Sequence, residues 1–375
     1  MKIHKILISL VFAVLIMLPF SNRILHFLND TKSAENRATA PMPDFDINEL
    51  DPFPQDYESY YQDNFFIRNW INAAYSEISR KIFKKSPTDK AMIGVDGWLY
   101  IKTDELKNYL SQNIFTEDEL NRFKQEIIRR SHYLDSLNCK YYFVVVPTKY
   151  SVYPEFLPRV YRWNEGYTRT DQIIDAISGI DNMVLIDLRK TLNDNKDKGL
   201  MFRPSDNHWS DLGAYYAYAT IIDSIRKDFP EVRPAFPLDS FNIETKPINI
   251  GNIAQMMNAG DDYQEEMPRI SFKNQQVWEM EKAGYEAPRK FSFEHVYELA
   301  FTNRNDKNPT LLLIRDSFGN TIIPFIPAHF AKSTVIFDAW QYKLNKPIVD
   351  KERPDVFVQL TMECNYDDLL EHGGE

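Results

Sequence analysis

Lys140-Tyr-Tyr-Phe-Val-Val-Val146-Pro147-Thr148-Lys149 is a run of aromatic and β-branched residues that ends in a proline and two polar residues. A run without alternating polar residues is typical of a strand buried on both faces, as in a parallel sheet. The polar residues after it are typical of the loop at the carboxyl end of such a strand. This stretch therefore predicts a central parallel strand.

Apolar runs and helical patterns alternate around this strand. Further strands are predicted over residues 182–188, 310–314, 334–337 and 355–360. Helices are predicted over residues 116–137, 170–180, 210–225 and 320–330, the first from the capping-box signal Thr116-Glu-Asp-Glu119. Together they predict an α/β fold with an open, largely parallel sheet flanked by helices. Residues 229–308 do not continue this alternation of strands and helices and are interpreted as an irregular insertion packed over the sheet.

The N-terminal region differs from the rest in composition. Residues 1–28 begin with a basic segment and continue with an apolar run, which predicts an uncleaved signal anchor. Residues 29–56 are polar and proline-bearing and are interpreted as an extracytoplasmic tether. Residues 57–375 are predicted to form the catalytic domain, beginning with one or two helices over residues 57–83 packed on the main body. Basic residues before the apolar run predict a cytoplasmic N-terminus and an extracytoplasmic body.

The composition excludes nucleic acid as a partner. The chain of 375 residues carries a net charge of −10 and has no long basic run, so it lacks the electrostatic footprint of a nucleic-acid-binding protein. Its two cysteines, Cys139 and Cys364, are interpreted as buried thiols, with a disulfide as the alternative.

Two segments carry the residues of a candidate catalytic site. Asp206 and His208 lie two residues apart before the predicted helix over residues 210–225, and Ser317 directly follows a predicted strand and precedes a helix. A serine hydroxyl becomes a good nucleophile when a histidine takes its proton and a carboxylate orients that histidine. The alternative for Asp206 and Ser317 is an ordinary loop hydrogen bond or helix cap. A metal site is disfavoured because no third or fourth ligand has suitable spacing, and no cofactor is predicted.

The residues in these segments resemble those of the SGNH (GDSL-like) hydrolases. Asp206-Asn-His208-Trp209, followed by Leu212-Gly213-Ala214, and Asp316-Ser317-Phe318-Gly319 are most similar to the AlgJ/AlgX/DHHW group of membrane-linked polysaccharide O-acetyltransferases. The similarity extends to Glu35-Asn36-Arg37, to Gly94-Val-Asp-Gly97-Trp98 and to Pro147-Thr148-Lys149. The histidine segment precedes the serine by about a hundred residues, which is the circularly permuted order of that group.

The resemblance implies roles for individual residues. Ser317 is the acetyl-accepting nucleophile, His208 its general base and later acid, and Asp206 the residue that orients the imidazole. The Ser317 amide holds the oxyanion. Lys149, Arg315 and Asn365 are candidate substrate contacts, with surface or ion-pair charges as the alternative for the two cations.

The function implied is transfer of an acetyl group to hydroxyls of an exported polysaccharide through an acetyl-serine intermediate. By resemblance, a membrane-bound O-acyltransferase supplies the acetyl group, and the N-terminal helix attaches the chain to the inner membrane. A carbohydrate acetylesterase with the same triad is the first alternative. A non-catalytic glycan-binding component of an export complex is the second.

Overall fold

The computed structural model describes most of the chain. The described residues are 2–25, 39–47, 51–65, 68–162, 166–274, 278–281, 284–288, 291, 294–303, 307–339 and 341–372. The end of the predicted anchor (residues 26–28), most of the predicted tether and the segment Glu35-Asn36-Arg37 lie outside them.

The chain divides into two compact units. The first comprises Met1–Ala91 and Asn252–Tyr263, and the second comprises Met92–Gly251 and Gln264–Glu375. A short segment of the predicted insertion therefore belongs to the N-terminal unit, and the remainder belongs to the unit that contains the main sheet.

Helices and strands follow each other as the sequence predicts over most of the second unit. The helices are α1 (Lys2–Leu25), α2 (Phe53–Asp63), α3 (Arg68–Lys81), α4 (Asp104–Tyr109), α5 (Glu117–Asp135), α6 (Lys149–Val152), α7 (Arg169–Ile177), α8 (Leu188–Asp194), α9 (Asp211–Asp228), α10 (Asn252–Met256), α11 (Gly319–Ile322), α12 (Lys346–Glu352) and α13 (Tyr366–His372). The strands are β1 (Ala91–Ile93), β2 (Leu99–Ile101), β3 (Lys140–Val146), β4 (Met183–Asp187), β5 (Phe241–Pro247), β6 (Glu266–Phe272), β7 (Trp278–Glu281), β8 (Glu298–Asn303), β9 (Leu311–Arg315), β10 (Lys332–Phe337) and β11 (Val356–Met362).

The N-terminal apolar segment forms the helix α1. None of the helices that the structure describes is long and apolar enough to cross a membrane.

The main sheet has seven strands in the order β4-β3-β11-β9-β10-β8-β7. The first five, which are the strands predicted from the sequence, pair in parallel. The last two pair antiparallel, so the sheet is mixed, which corrects the expected largely parallel sheet. Both antiparallel strands come from the predicted insertion, which is therefore part of the sheet and not only a cover over it. β7 lies at the edge of the sheet, and both β7 and β8 contain polar residues, so they lack the continuous apolar signal of central strands.

The central position of β3 explains its composition. Tyr142, Val144 and Val146 belong to one hydrophobic cluster, and the alternate residues Tyr141, Phe143 and Val145 belong to another. Successive side chains of a strand point to opposite faces, so β3 is buried on both sides. The sheet is thus covered on both faces, as an α/β fold requires.

Local signals set several helix ends. Thr116 and Glu119 form the predicted capping box at the start of α5, and the Ser210 hydroxyl accepts from the Gly213 amide at the start of α9. The helix expected over residues 320–330 is interrupted: α11 ends at Ile322, and a 3-10 turn covers Ile326–His329. Pro324 and Pro327 lack the amide hydrogen that a continuous helix needs.

Cys139 and Cys364 are free and buried, as expected of two structural thiols. The alternative of a disulfide is therefore wrong for this structure.

Candidate active site

Two loops at the carboxyl side of the sheet carry the candidate catalytic residues. Ser317 lies in the turn between β9 and α11, two residues beyond the last strand residue. Asp206 and His208 lie in a tight loop closed by an antiparallel bridge between Phe202 and Trp209. In parallel sheets, ligand sites form where loops leave the carboxyl ends of the strands. The fold therefore holds both loops where a site is expected.

The three side chains form a continuous hydrogen-bonded chain. The Nδ1 atom of His208 lies 2.7 Å from Oδ1 of Asp206, and its Nε2 atom lies 2.7 Å from Oγ of Ser317. Because an ionised carboxylate only accepts hydrogen bonds, Nδ1 carries the proton and Nε2 accepts from the Ser317 hydroxyl. Ser317 and His208 are half-buried, so this hydroxyl remains accessible. The arrangement can generate a nucleophilic serine.

Aromatic contacts join the two loops next to this hydrogen-bonded chain. The Trp209 indole donates to the Phe318 carbonyl at 3.1 Å, and the two rings meet edge to face with centroids 5.1 Å apart. The His208 ring lies 4.9 Å from the Phe318 ring, centroid to centroid. These contacts fix the distance between the loops, which explains why a tryptophan follows the histidine.

Asp206 is buried among groups that favour its charge. Burial alone would raise its pKa, but hydrogen bonds from the side chain and backbone of His208 and the charges of His208 and Arg203 hold the pKa well below the ordinary range. Arg203 donates from Nη1 to Oδ2 of Asp206 at 3.0 Å. Asp206 therefore stays ionised and can stabilise a protonated His208.

Arg203 is itself held in place by Glu265. The Glu265 carboxylate accepts from the Ser205 amide at 2.6 Å, and its other oxygen lies 3.5 Å from Nε of Arg203. Arg203 also donates to the Asn249 carbonyl. The sequence analysis assigned no role to Arg203, which lies three residues before Asp206, and it gave no indication of Glu265, which is about sixty residues further along the chain. Only the folded chain brings these two residues together.

Asp316, directly before the nucleophile, has different surroundings. Its two oxygens accept from the Phe318 amide at 2.8 Å and from the Tyr342 hydroxyl at 3.0 Å. Burial raises the pKa of this carboxyl despite those two donors. Asp316 thus shapes the turn that presents Ser317.

The Ser317 amide is the expected oxyanion donor. Among the residues that the structure describes, no backbone hydrogen bond uses this N–H, whereas the neighbouring Phe318 and Gly319 amides are both engaged by Asp316. A free amide beside the nucleophilic oxygen is the kind of donor that stabilises a tetrahedral oxyanion.

Lys149 does not lie at a substrate-accessible position. It is buried, and its ammonium donates to the Leu99 and Pro204 carbonyls at 2.8 and 3.0 Å. Burial lowers its pKa to about 7, although Asp206, Glu105 and Glu265 oppose the shift. Pro204 lies two residues before Asp206. The hydrogen bonds of Lys149 therefore stabilise the loop that contains Asp206 and His208 from inside the protein. The prediction that Lys149 contacts substrate is therefore corrected.

Arg315 is also buried and bonded internally. Its guanidinium donates to the Asp316 and Val296 carbonyls at 3.2 and 3.0 Å and lies over the Phe337 ring. Burial lowers its pKa to about 10. A cation with no solvent-exposed surface is not available to a glycan, so its predicted substrate contact is likewise corrected. The alternative of surface or ion-pair charges does not describe these two cations either, because both are buried and donate to backbone carbonyls.

Asn365 is half-buried and belongs to a hydrogen-bond network beside the nucleophile. Its amide donates to the Tyr342 hydroxyl at 3.3 Å, and that hydroxyl donates to Asp316. The structure thus connects Asn365 to the serine turn through Tyr342, a residue that the sequence did not single out. Tyr342 follows β10 with no motif around it, so only its contacts reveal it.

Within the described ranges, no group of three or more His, Cys, Asp or Glu side chains is placed to hold a metal ion.

Comparisons with known proteins identify the family of this chain. The family model described as SGNH hydrolase-like domain, acetyltransferase AlgX, matches residues 91–283, just over half of the chain. None of the functionally curated proteins matches the sequence.

Two solved structures share the fold at low sequence identity. A DHHW family protein from Eubacterium siraeum DSM 15702 superposes with a TM-score of 0.52 at 16% identity, covering 76% of this chain and 95% of that one. Bacillus cereus PatB1 with a sulfonyl adduct superposes with a TM-score of 0.55 at 14% identity, covering 74% of this chain and 95% of that one.

Proposed function

Because the chain belongs to the SGNH hydrolase-like family of the acetyltransferase AlgX, we propose that it is an O-acetyltransferase acting on hydroxyls of an exported or cell-surface polysaccharide. The observation that carries this proposal is the hydrogen-bonded chain from Ser317 through His208 to Asp206. Such a chain supplies a nucleophile, a proton acceptor and an orienting charge in one place.

The first half-reaction loads the serine. Oγ of Ser317 attacks the carbonyl carbon of an acetyl donor while its proton passes to Nε2 of His208. The Ser317 amide stabilises the resulting oxyanion. When the intermediate collapses, the bond to the donor's leaving group breaks and the leaving group takes the proton from His208. The product is an acetyl ester on Ser317.

The second half-reaction transfers the acetyl group. A sugar hydroxyl attacks the ester carbonyl and gives its proton to Nε2 of His208, and Oγ of Ser317 leaves and recovers that proton. Asp206 stabilises the imidazolium in both halves because its low pKa keeps it ionised. With water as the acceptor the same steps give an acetylesterase, so acceptor choice decides between the two activities.

The test measures transfer of acetyl groups to added oligosaccharide and release of free acetate side by side. We expect transfer to exceed hydrolysis, and Ser317→Ala to lower transfer by about four to six orders of magnitude. The matched control is Ser178→Ala, since Ser178 is an exposed serine at the end of α7. Acetate release without transfer would support the esterase, and unchanged turnover in Ser317→Ala would leave a non-catalytic glycan-binding role.

We propose further that the catalytic unit works outside the cytoplasm, attached to the inner membrane by residues 1–28 and supplied with acetyl groups by a membrane-bound O-acyltransferase. The basic residues and apolar run of the N-terminal segment support this location. Protease added to spheroplasts should digest the body of the protein. Protection of the body until the cells are lysed would contradict the location.

A further inference from the structure

Helix α3 of the N-terminal unit is packed through its polar side. Ser76 and Ser79 are its buried residues. The Ser76 hydroxyl donates to the Met257 carbonyl, and Arg80 donates to the Asn258 carbonyl at 3.2 Å and pairs with Asp262. All these partners belong to the segment Asn252–Tyr263 of the same unit. A helix usually buries its apolar side, so this packing is inverted.

The other side of α3 is apolar and exposed. We define the α3 apolar face as Trp70, Ile71, Tyr75, Ile78 and Ile82, which are between 44% and 70% exposed. Their spacing places Ile71, Tyr75, Ile78 and Ile82 on one side of the helix axis, away from the buried Ser76, with Ile82 directly after the last residue of α3. The sequence-based interpretation expected these residues to pack inward. A contiguous exposed apolar surface of this kind marks an interaction site.

The charges around this face are mostly positive. Residues 68–85 contain five basic residues and one acidic residue, in a chain whose net charge is −10. Lys81, Lys84 and Lys85 cluster at the C-terminal end of the face and are exposed. An apolar face that includes tryptophan and tyrosine, next to a cluster of lysines, is the composition of a helix that lies in a membrane interface.

We propose that the α3 apolar face docks into the interface of an anionic phospholipid bilayer. Trp70, Ile71, Tyr75, Ile78 and Ile82 enter the boundary between headgroups and acyl chains, and the three lysines contact the anionic headgroups. Lys81 also pairs with Glu77 at 2.8 Å. A protein partner is a weaker fit, because a bilayer attracts exposed lysines through charge alone and accommodates tryptophan and tyrosine at its interface. The inference is independent of the chemistry at Ser317.

The same unit contains a second apolar element. Several apolar side chains of α1 are exposed, for example Ile8 at 68% and Phe12 at 64%. Two elements of one unit that both expose apolar side chains to the surroundings are consistent with a lipid environment for that unit.

The experiment places a polarity-sensitive fluorophore at a single position of the full-length chain in vesicles. Tyr75→Cys carries the probe on the α3 apolar face. Val160→Cys is the matched control, because Val160 is an exposed apolar residue of the other unit. Cys139 and Cys364 are buried. The chain without an added cysteine is labelled in the same way and measures the background from these two thiols. Because α1 is present in every variant, attachment to vesicles does not by itself decide the result.

With phosphatidylglycerol vesicles, the probe at position 75 should shift its emission to shorter wavelength and be quenched by brominated acyl chains. The probe at position 160 should do neither. Replacing Lys81, Lys84 and Lys85 with Gln should move the docking equilibrium about a hundredfold towards the undocked form, since each lysine near an anionic surface contributes roughly fivefold. Replacing phosphatidylglycerol with phosphatidylcholine should weaken docking of the unmodified lysines to a similar extent.

Two outcomes would overturn the proposal. The first is a probe at position 75 that stays aqueous while the chain is bound to phosphatidylglycerol vesicles. The second is a lipid-independent shift that grows with protein concentration, which would indicate that a second copy of the chain covers this face. Circular dichroism of each variant checks that the exposed substitutions leave the fold intact.

Discussion

Asp206 and Asp316 are both buried carboxylates beside the pair formed by Ser317 and His208, but they contact different kinds of group. Asp206 accepts from His208 and from the guanidinium of Arg203. Asp316 accepts from an uncharged backbone amide and from the Tyr342 hydroxyl. The pKa of Asp206 is accordingly lowered and that of Asp316 raised, the latter by burial. Their partners, and not their burial, give one carboxylate an electrostatic role and the other a structural one.

The largest expected effect is a difference in kcat between variants of these two aspartates. Asp206→Asn should lower kcat by about three to four orders of magnitude, because a neutral amide neither fixes the His208 tautomer nor stabilises the imidazolium. Asp316→Asn should lower kcat by about tenfold or less, since a carboxamide oxygen can still accept from Phe318, and it should cost about 1–3 kcal/mol of stability through the lost second acceptor. Steady-state kinetics and denaturant unfolding of both variants measure these effects.

Equal losses of kcat in the two variants, with both folded, would remove the distinction between the two carboxylates. A large loss of stability in Asp206→Asn alone would reverse their roles.

The second prediction concerns Arg203, the cation that donates a hydrogen bond to Asp206. Arg203→Met should lower kcat/KM by about ten- to a hundredfold, because a buried hydrogen bond to a charged group is lost. Arg203 helps to lower the pKa of Asp206, so removing it raises that pKa. Asp206 then takes up its proton at a higher pH, and the acidic limb of the pH–rate profile should move upward.

Arg269→Met is the control for that variant, because Arg269 is an exposed arginine paired with Asp211. An acidic limb that stays in place in Arg203→Met would show that Arg203 does not act through Asp206.

Glu105 is a third buried carboxylate, and the charges around it offset only part of the effect of burial on its pKa. Burial raises its pKa from the ordinary 4.5 to about 8, with the positive charge of Lys149 opposing the shift. No hydrogen bond to its carboxyl group is found in the part of the chain that the structure describes. The folded protein therefore retains a proton between pH 4.5 and about 8 that the unfolded chain releases, so stability falls as pH rises through this range.

Glu105→Gln should remove that fall, because glutamine does not titrate. We expect its stability relative to the parent to increase by about 3–5 kcal/mol between the two ends of the range, since each tenfold change in proton affinity corresponds to about 1.4 kcal/mol. Urea unfolding at several pH values measures this, with the exposed Glu117→Gln as control. A parallel pH dependence in the two variants would show that Glu105 is ionised in the folded protein.

The sequence predicted the elements whose signals are local. The five parallel strands are continuous apolar runs, the capping box at Thr116 is complete within four residues, and Asp206, His208 and Ser317 each belong to a short motif. The antiparallel strands β7 and β8 were not assigned to the sheet because β7 has four residues and is mostly exposed, and β8 has polar residues at both ends. Their pairing depends on the neighbouring strand and not on their own residues.

Burial of charged residues also could not be read from the sequence. Lys149 and Arg315 follow strands as surface residues often do, and only the folded chain shows their carbonyl partners. Glu265 and Tyr342 act on the site from distant positions in the sequence, without motifs of their own. The apolar pattern of α3 was recognised, but its periodicity does not tell which side of a helix meets the protein.

The most direct test of the proposed chemistry is peptide mass spectrometry of the protein after incubation with an activated acetyl ester. We predict one acetyl group on the peptide that contains Ser317, formed only when His208 is intact and lost when an oligosaccharide acceptor is added. An unmodified Ser317 during continuing turnover, or acetylation at another residue that supports transfer equally well in Ser317→Ala, would contradict the account.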